Sequence, residues 1–389
     1  LQSPGTVLSV LADGSLVVAC RDAALTINCF DVESAIRAPL LGDVLGNENP
    51  ADPVPHNRLS HGQEEVAAVS AVVRSGRWTG SEECKRLEDK FAAAAGTTHA
   101  IAVGSGLGAL RLALRALGVG PGDAVALPGY SCVALANATL ACGAQPIPVE
   151  IDSATLNICP RALCTAVQNN PKIRAAVAVH TFGFPANVTA LESAGVPIIE
   201  DCSHAFGRCG LGGQGRLAII SLHATKLIGA GEGGIVCTSD TALADRIRAA
   251  RDYCDQPPSA ERLNDKITAC AAALASCQLD RLSTHLTIRD RLARRYNKAL
   301  SGGAAYGIYH LPLEDQNRIW YRYTIKLSCG LSSMLAMLRA RRVIAARPVE
   351  PWAECAGPIC SDAFRRMISL PLYPSLTEAE QSHIINAFL

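Results

Sequence analysis

The chain has 389 residues, with 36 Lys plus Arg against 35 Asp plus Glu and a net charge of +1. That balance argues against a partner gripped by bulk electrostatics, whether nucleic acid or an anionic membrane. An apolar share of 49% argues against disorder, and the length suits two or three domains.

The first 46 residues read as short strands. Apolar runs at 5–10 and 16–20 flank an Asp13-Gly14 turn, and a third run follows at 25–30. Residues 47–58 hold Pro50, Pro53 and Pro55 with no apolar period, which predicts a linker. From Ser60 the pattern changes to alternating helix and strand. Helical spacing covers 64–74, 84–95, 109–117 and 132–141. Strands are predicted at 101–103, 124–127, 146–149, 175–180, 197–201 and 217–221. Repeated β-then-α units with apolar strands predict a mostly parallel sheet covered by helices. Past Asn264 one long helical pattern runs to about residue 300. A strand at 321–327 and helices at 331–341 and 378–389 complete the chain.

Sixteen cysteines are spread evenly, and no Cys-x-x-Cys pair occurs, so a zinc ribbon or thioredoxin-type motif is not expected and no metal is assigned. Lying among apolar residues, they read as reduced thiols of a cytoplasmic protein. The apolar stretch 6–24 is broken by Asp13, Gly14 and Arg21, which fits neither a transmembrane span nor a signal peptide. The chain opens on Leu1, which predicts that residues precede it.

In open α/β sheets ligands bind at the carboxyl ends of strands, often on helix N-termini. Three features sit there. The run GSGLG at 104–108 offers backbone amides to a phosphate, or forms a tight turn and nothing more. The run EDCSHA at 200–205 puts a carboxylate at a strand end, or supplies a helix N-cap through Asp201 or Ser203. The third is Lys226, which follows a buried strand and precedes a Gly-rich loop. Most lysines are solvated surface residues, but one wedged here becomes a usable nucleophile. A phosphate cradle, an acid and a lysine in this order suggest pyridoxal phosphate chemistry.

Residues 58–389 resemble the sugar aminotransferase family often called DegT/DnrJ/EryC1/StrS. The matching runs are VRSGRWTG (73–80), VGSG (103–106), GPGD (120–123), LPGY (127–130) and VHTFGFP (179–185). They continue with EDCSHA (200–205), Lys226 with GEGG (231–234), RLNDK (262–266) and LPLYP (370–374). The resemblance implies a fold type I pyridoxal-phosphate-dependent enzyme: α/β, with a mostly parallel seven-stranded sheet in a large domain over 59–280 and a smaller α+β domain over 281–389. It also implies a homodimer with shared active sites.

The resemblance further implies the roles of residues. Lys226 is the Schiff-base lysine and proton shuttle, Asp201 pairs with the ring nitrogen, and His204 stands near the ring hydroxyl. Ser221 and the backbone of Ser105, Gly106 and Leu107 hold the phosphate, and Asn264 reaches it from the neighbouring subunit. Cys132 lies beside the ring, and His180 and Arg347 contact the substrate. A surface role for Arg347 stands as its alternative. Two positions depart from the family, which often has Thr where Leu107 stands and an aromatic residue where Cys132 stands. The reaction implied is transfer of an amino group, from L-glutamate, to a nucleotide-linked keto-deoxysugar. The tetrad Ser221-x-His223-x-x-Lys226 resembles enzymes that aminate carbon 4. A catalytically weakened relative that keeps the cofactor for a regulatory or structural role is the alternative, supported by Leu107 and Cys132. Separately, residues 4–24 resemble the C-terminal β-domain of formyltransferases, without its catalytic region; an unrelated β-extension is the other reading.

Overall fold

The computed structural model describes residues 52–389 except 208–210, 254–261, 306–308, 311, 313–314, 316, 329 and 353–355, together with three strands nearer the start. Those strands are β1 (Val7–Val10), β2 (Leu16–Ala19) and β3 (Ala24–Ile27), an antiparallel sheet in the order β1-β2-β3. The rest of 1–51, and with it the fuller test of the formyltransferase resemblance, lies outside the described residues.

Two helices follow, α1 (Gln63–Ser75) and α2 (Glu82–Ala95), each stopped by a left-handed glycine, Gly76 and Gly96. The main sheet is then assembled. Its elements in chain order are β4 (His99–Val103), α3 (Gly106–Ala116), β5 (Ala124–Pro128), α4 (Val133–Ala141) and β6 (Gln145–Val149). Next come α5 (Pro160–Asn169), β7 (Ile173–Val179), α6 (Val188–Glu192), β8 (Ile198–Asp201), β9 (Leu217–Ser221), β10 (Gly234–Thr238) and α7 (Thr241–Arg251). The seven strands lie in the order β4-β10-β9-β8-β7-β5-β6. Only β10 runs against its neighbours, pairing Gly234 with both Val103 and Ser221. Every residue of β5 and β10 is buried, as expected of strands covered on both faces. Pro146 and Pro148 fall on β6, an edge strand, where a missing amide leaves no second neighbour unbonded.

The pattern past Asn264 is not one helix. Residues 264–268 are extended, with bridges from Lys266 to Val103 and from Thr268 to Thr79. Thr268 then caps α8 (Ala269–Asp280), and α9 (Leu282–Ala305) begins after Arg281. Arg281 donates its guanidinium to the buried Glu65 at 2.8 Å, so the junction between the helices is tied to α1.

The chain ends with β11 (Tyr309–His310), β12 (Tyr323–Leu327), α10 (Leu331–Ala340), α11 (Pro358–Arg366), β13 (Met367–Leu370) and α12 (Glu378–Phe388). β11, β12 and β13 form an antiparallel sheet. Its core is separate from those of the main sheet and includes Tyr296, Tyr323, Ile368 and Phe388. Among the described residues no helix is long and apolar enough to cross a membrane.

Residues 52–58, expected as linker, are instead fastened to this C-terminal part. Val54 is flanked by two prolines, and its one amide goes to the Arg342 carbonyl at 2.8 Å. His56 Nε2 meets Ser369 Oγ at 2.9 Å, and Arg58 pairs with Glu380 at 2.7 Å. Burial, and secondarily the charge of Arg322, pushes the His56 imidazole down to about 4 from 6.5. The unfolded chain therefore takes up this proton first as pH falls, so stability is kept above pH 6.5 and lost below it. Urea midpoints at pH 7 and pH 4.5 are expected to show a loss of about 2–3 kcal/mol from this group. His56→Gln removes that share of the acid limb.

Candidate functional site

The carboxyl ends of β4, β9 and β8 converge on one side of the sheet. After β4, Ser105 caps α3, its Oγ accepting from the Gly108 amide at 3.0 Å. The first-turn amides of Gly106 and Leu107 have no partner inside the helix and favour an anion. Gly106 is required by packing: a Cβ there would lie 2.6 Å from the Ser221 Cβ and 2.9 Å from its Oγ. The Ser221 hydroxyl thus stands against the helix start. Behind it, Arg111 of α3 is ion-paired with Asp265. Leu107 is partly exposed in the first turn, and Cys132 is exposed at the N-cap of α4.

Asp201 ends β8. It caps no helix; its Oδ1 accepts from the Ser203 amide at 2.9 Å, closing a turn. Ser203 Oγ in turn accepts from the Ser221 amide at 2.9 Å, which ties the end of β8 to that of β9. Lys226, on the loop after β9, brings Nζ to 2.9 Å from His204 Nε2. The His204 ring stacks on Tyr321 at 4.2 Å and lies parallel to Phe182 at 6.0 Å. Burial, reinforced by the charges of Lys226 and Arg322, holds this imidazole well below its ordinary pKa, so it is neutral. Its Nδ1 is buried and has no partner among the described residues. A cavity of about 480 Å³ opens beside Lys226, with Asn57, Glu65, Gln278 and His285 on its walls.

The structure therefore brings Ser105, Gly106, Leu107 and Ser221 together, and it brings Lys226 and His204 together next to Asp201. His180 meets them through its backbone, whose amide donates to the Asp201 carbonyl at 3.2 Å, while its ring is engaged elsewhere. His180 is fully buried, and its Nδ1 accepts from the Ala186 amide at 2.9 Å. Nε2 then carries the proton and donates it to Glu200 at 3.2 Å. With both nitrogens engaged, His180 is a sheet-end fastener, and the substrate contact expected of it is corrected. Glu200 also accepts from the amides of Gly212, Gln214 and Gly215 at 3.2, 2.7 and 2.6 Å. Burial alone would raise its carboxyl pKa; these bonds overcome that and lower it. Cys202 lies close enough to complete a metal-like trio with His180 and Glu200, yet those two already spend their ligand atoms on protein donors.

Asn264 is exposed, next to Asp265, whose carbonyl accepts from the Gly104 amide at 2.7 Å. Arg347 lines a different, open cavity of about 640 Å³ with Ser332, Ser333 and Arg365, and its Nε is 4.0 Å from Glu350. Sequence reasoning missed Tyr130, Thr225, Tyr321 and Arg322. Tyr130 stands just past β5, buried, with no partner for its hydroxyl among the described residues. The LPGY run was a signal for it, because it too ends a buried strand.

The amide cradle with Ser221, and an unpartnered buried nitrogen beside a lysine, fit a phosphorylated ring with a polar substituent. Pyridoxal phosphate is such a group. Residues 60–389 match the model of the DegT/DnrJ/EryC1/StrS aminotransferase family. Similar solved structures include a DegT DnrJ EryC1 StrS aminotransferase from Brucella abortus, 27% identical, covering 84% of this chain and 94% of that one with a TM-score of 0.75. DesV from S. venezuelae, solved with a ketimine intermediate, is 30% identical over 84% of this chain and 93% of its own, with a TM-score of 0.75. The aminotransferase TlmJ from Streptoalloteichus hindustanus is 27% identical over 86% and 97%, with a TM-score of 0.79. The chain belongs to the DegT/DnrJ/EryC1/StrS aminotransferase family and is a pyridoxal-phosphate-dependent sugar aminotransferase.

Proposed function

We propose that the protein transfers an amino group from L-glutamate to carbon 4 of a nucleotide-linked keto-deoxysugar. The observation that carries the amino transfer itself is the Lys226 Nζ held 2.9 Å from a neutral His204, beside Asp201 and across from an amide cradle. Pyridoxal phosphate, when bound, supplies an aldehyde that takes up the amino group and a ring that draws electrons from the carbon losing its proton.

The protein supplies the rest. The amides of Gly106 and Leu107 and the Ser221 hydroxyl hold the phosphate, with Asn264 of a second subunit completing the hold. The Asp201 carboxylate keeps a proton on the ring nitrogen, because a negative charge beside it favours the protonated form. Lys226 Nζ takes the substrate proton and returns it, the work of a positioned general base and acid. His204 Nε2 fixes where Nζ stands. Cys132 packs beside the ring with less contact area than an aromatic residue would give. Arg347 meets the nucleotide's anionic part in its open cavity.

A homodimer with shared sites is supported by exposed apolar side chains on and around α1: Leu59, Val66, Val73 and Trp78. Separate cores around the main sheet and around β12 support a division into domains at 59–280 and 281–389. The choice of carbon 4 rests on the resemblance of Ser221-x-His223-x-x-Lys226 to enzymes with that regiochemistry. Purified protein given L-glutamate and a panel of nucleotide-linked 3-keto and 4-keto sugars is expected to aminate the 4-keto members, read by mass. Amination of 3-keto sugars alone would overturn the regiochemistry. Cofactor binding without turnover of any sugar would favour the weakened relative that Leu107 and Cys132 suggest.

A further inference from the structure

Helix α11 starts on Pro358, which has no amide to donate, and carries no acid of its own in its first turn. Ile359 and Cys360 hold the next two N–H groups, and both go to one carboxylate 209 and 210 positions earlier in the chain. Glu150, the residue after β6, accepts from the Ile359 amide through Oε2 and from the Cys360 amide through Oε1, each at 3.0 Å. Oε1 also accepts from the Ile151 amide at 2.9 Å, and the Glu150 carbonyl accepts from the Cys159 amide at 3.0 Å, so the carboxylate is aimed from a fixed backbone. Burial alone would raise the Glu150 pKa; bonds from the Cys360 thiol and the three amides outweigh it and lower it. An anion therefore sits at the positive end of α11.

This contact has no space for a methyl group. A Cβ on Gly357 would overlap Glu150 Oε2, although the Gly357 backbone is extended and open to any residue. A Cβ on Gly129 would lie 2.7 Å from the Ala356 Cβ and 2.9 Å from Cys360 Sγ. Tyr130 packs its ring against Phe364 at 4.8 Å. The ends of β5 and β6 thus grip the start and one face of α11. On its other side Asp362 pairs with Lys326 of β12 at 2.6 Å, and Arg366 donates to the Leu327 carbonyl at 2.6 Å. The helix is a bracket between the main sheet and the C-terminal sheet. Its residues Ser361, Phe364 and Arg365 wall the open cavity that holds Arg347. Arg347 in turn follows Ala346, which bridges to Ser369 of β13, the strand that α11 runs into.

We propose that Glu150 is a positioning residue for the sugar-nucleotide substrate: by capping α11 it sets where the cavity of Arg347 stands relative to Lys226. This rests on the reading that Arg347 meets the nucleotide's anionic part. The first amides of α11 are already spent on Glu150, so the nucleotide's anion goes to side chains of the cavity and not to this helix start. The amino-acid donor has no nucleotide to place and lies outside this control.

Calorimetric titration of the holoenzyme with uridine diphosphate and thymidine diphosphate, nucleotide parts without a sugar, is the test. Affinity for whichever binds the wild type is expected to fall at least about fivefold in two variants. Glu150→Gln turns an NH₂ toward an amide donor, and Gly357→Ala pushes the carboxylate off the helix. The double variant should match the weaker single one within about twofold, because both act through one contact. The half-saturating L-glutamate concentration in the donor half-reaction, followed as loss of the visible cofactor band, should change less than about twofold in all three. Nucleotide affinity unchanged in both single variants would overturn the proposal. So would additive losses, or an equal loss in the donor half-reaction, which would mean a general loosening of the fold. If Glu150→Gln fails to fold, Gly357→Ala, which keeps the carboxylate, carries the comparison. If both variants weaken nucleotide binding and Arg347→Gln does not, the bracket stands and the placing of the nucleotide's anion on Arg347 falls. Wild-type protein that binds neither diphosphate would overturn the nucleotide reading and the proposal with it.

Discussion

Lys226→Ala is expected to abolish the covalent link to the cofactor and to lower turnover by a factor of at least about 10⁴. The reason is geometric. Nζ is the nucleophilic nitrogen brought against His204 at the ends of β8 and β9, and Tyr321 closes the other side of the imidazole. No second lysine lines the cavity that opens beside Lys226. Borohydride treatment followed by mass measurement checks the link: wild-type protein should gain the cofactor's mass irreversibly, and the variant should not. Full transamination by the alanine variant would show that another group does this work. Stability should change little, because Lys226 is half-buried and its main contacts are with His204 and the face of Tyr321.

Glu200→Ala is expected to act in the opposite way, costing about 3–5 kcal/mol of stability before any question of activity arises. Its carboxylate is fully buried and is the common acceptor for His180 Nε2 and the amides of Gly212, Gln214 and Gly215. Alanine leaves four donors facing a void. Glu200→Gln keeps one acceptor oxygen but points an NH₂ at donors, so its cost should be smaller yet still large. Urea denaturation of the three proteins at pH 7 checks the order: wild type, then glutamine, then alanine. The adjacent Asp201 gives the contrast, since Asp201→Asn should impair turnover and leave the urea midpoint nearly unchanged.

That contrast explains what was legible in the sequence. Successive side chains on a strand point to opposite faces, so Glu200 and Asp201, neighbours in one motif, serve different purposes. Ser221 came from the family resemblance; the rule that ligands gather at strand ends was enough to single out the runs holding Ser105 and Asp201, and Lys226, because each follows a recognisable apolar run. It said nothing of which way a ring turns after the last strand residue, and there His180 was misread. Its ring went inward to Glu200 because that buried carboxylate needed a donor. Tyr321 and Arg322 were invisible for another reason. They precede β12, nearly a hundred residues after Lys226, and only the docking of the C-terminal part on the sheet brings them to it. Local patterning also joined α8 to α9, because Arg281 turns the chain without leaving helical dihedral angles. β10 went unnoticed because its apolar run starts straight out of a glycine loop.

The reversed direction of β10 bears on how the nucleophile is held. A parallel neighbour would have required the chain to cross the sheet face and return from the far edge. Instead the chain leaves β9 at Ser221 and re-enters beside it at Gly234, so the loop bearing Lys226 is a closed bight moored at both feet to paired strands. Its feet cannot drift apart while the ladder holds. Lys226 can swing between partners, but its backbone keeps its station relative to the cradle. The bight is also pinned from within, since Leu222, Leu227, Ile228 and Ala230 are buried in the core, so lengthening it by even one residue would shift the amine and strain that packing together.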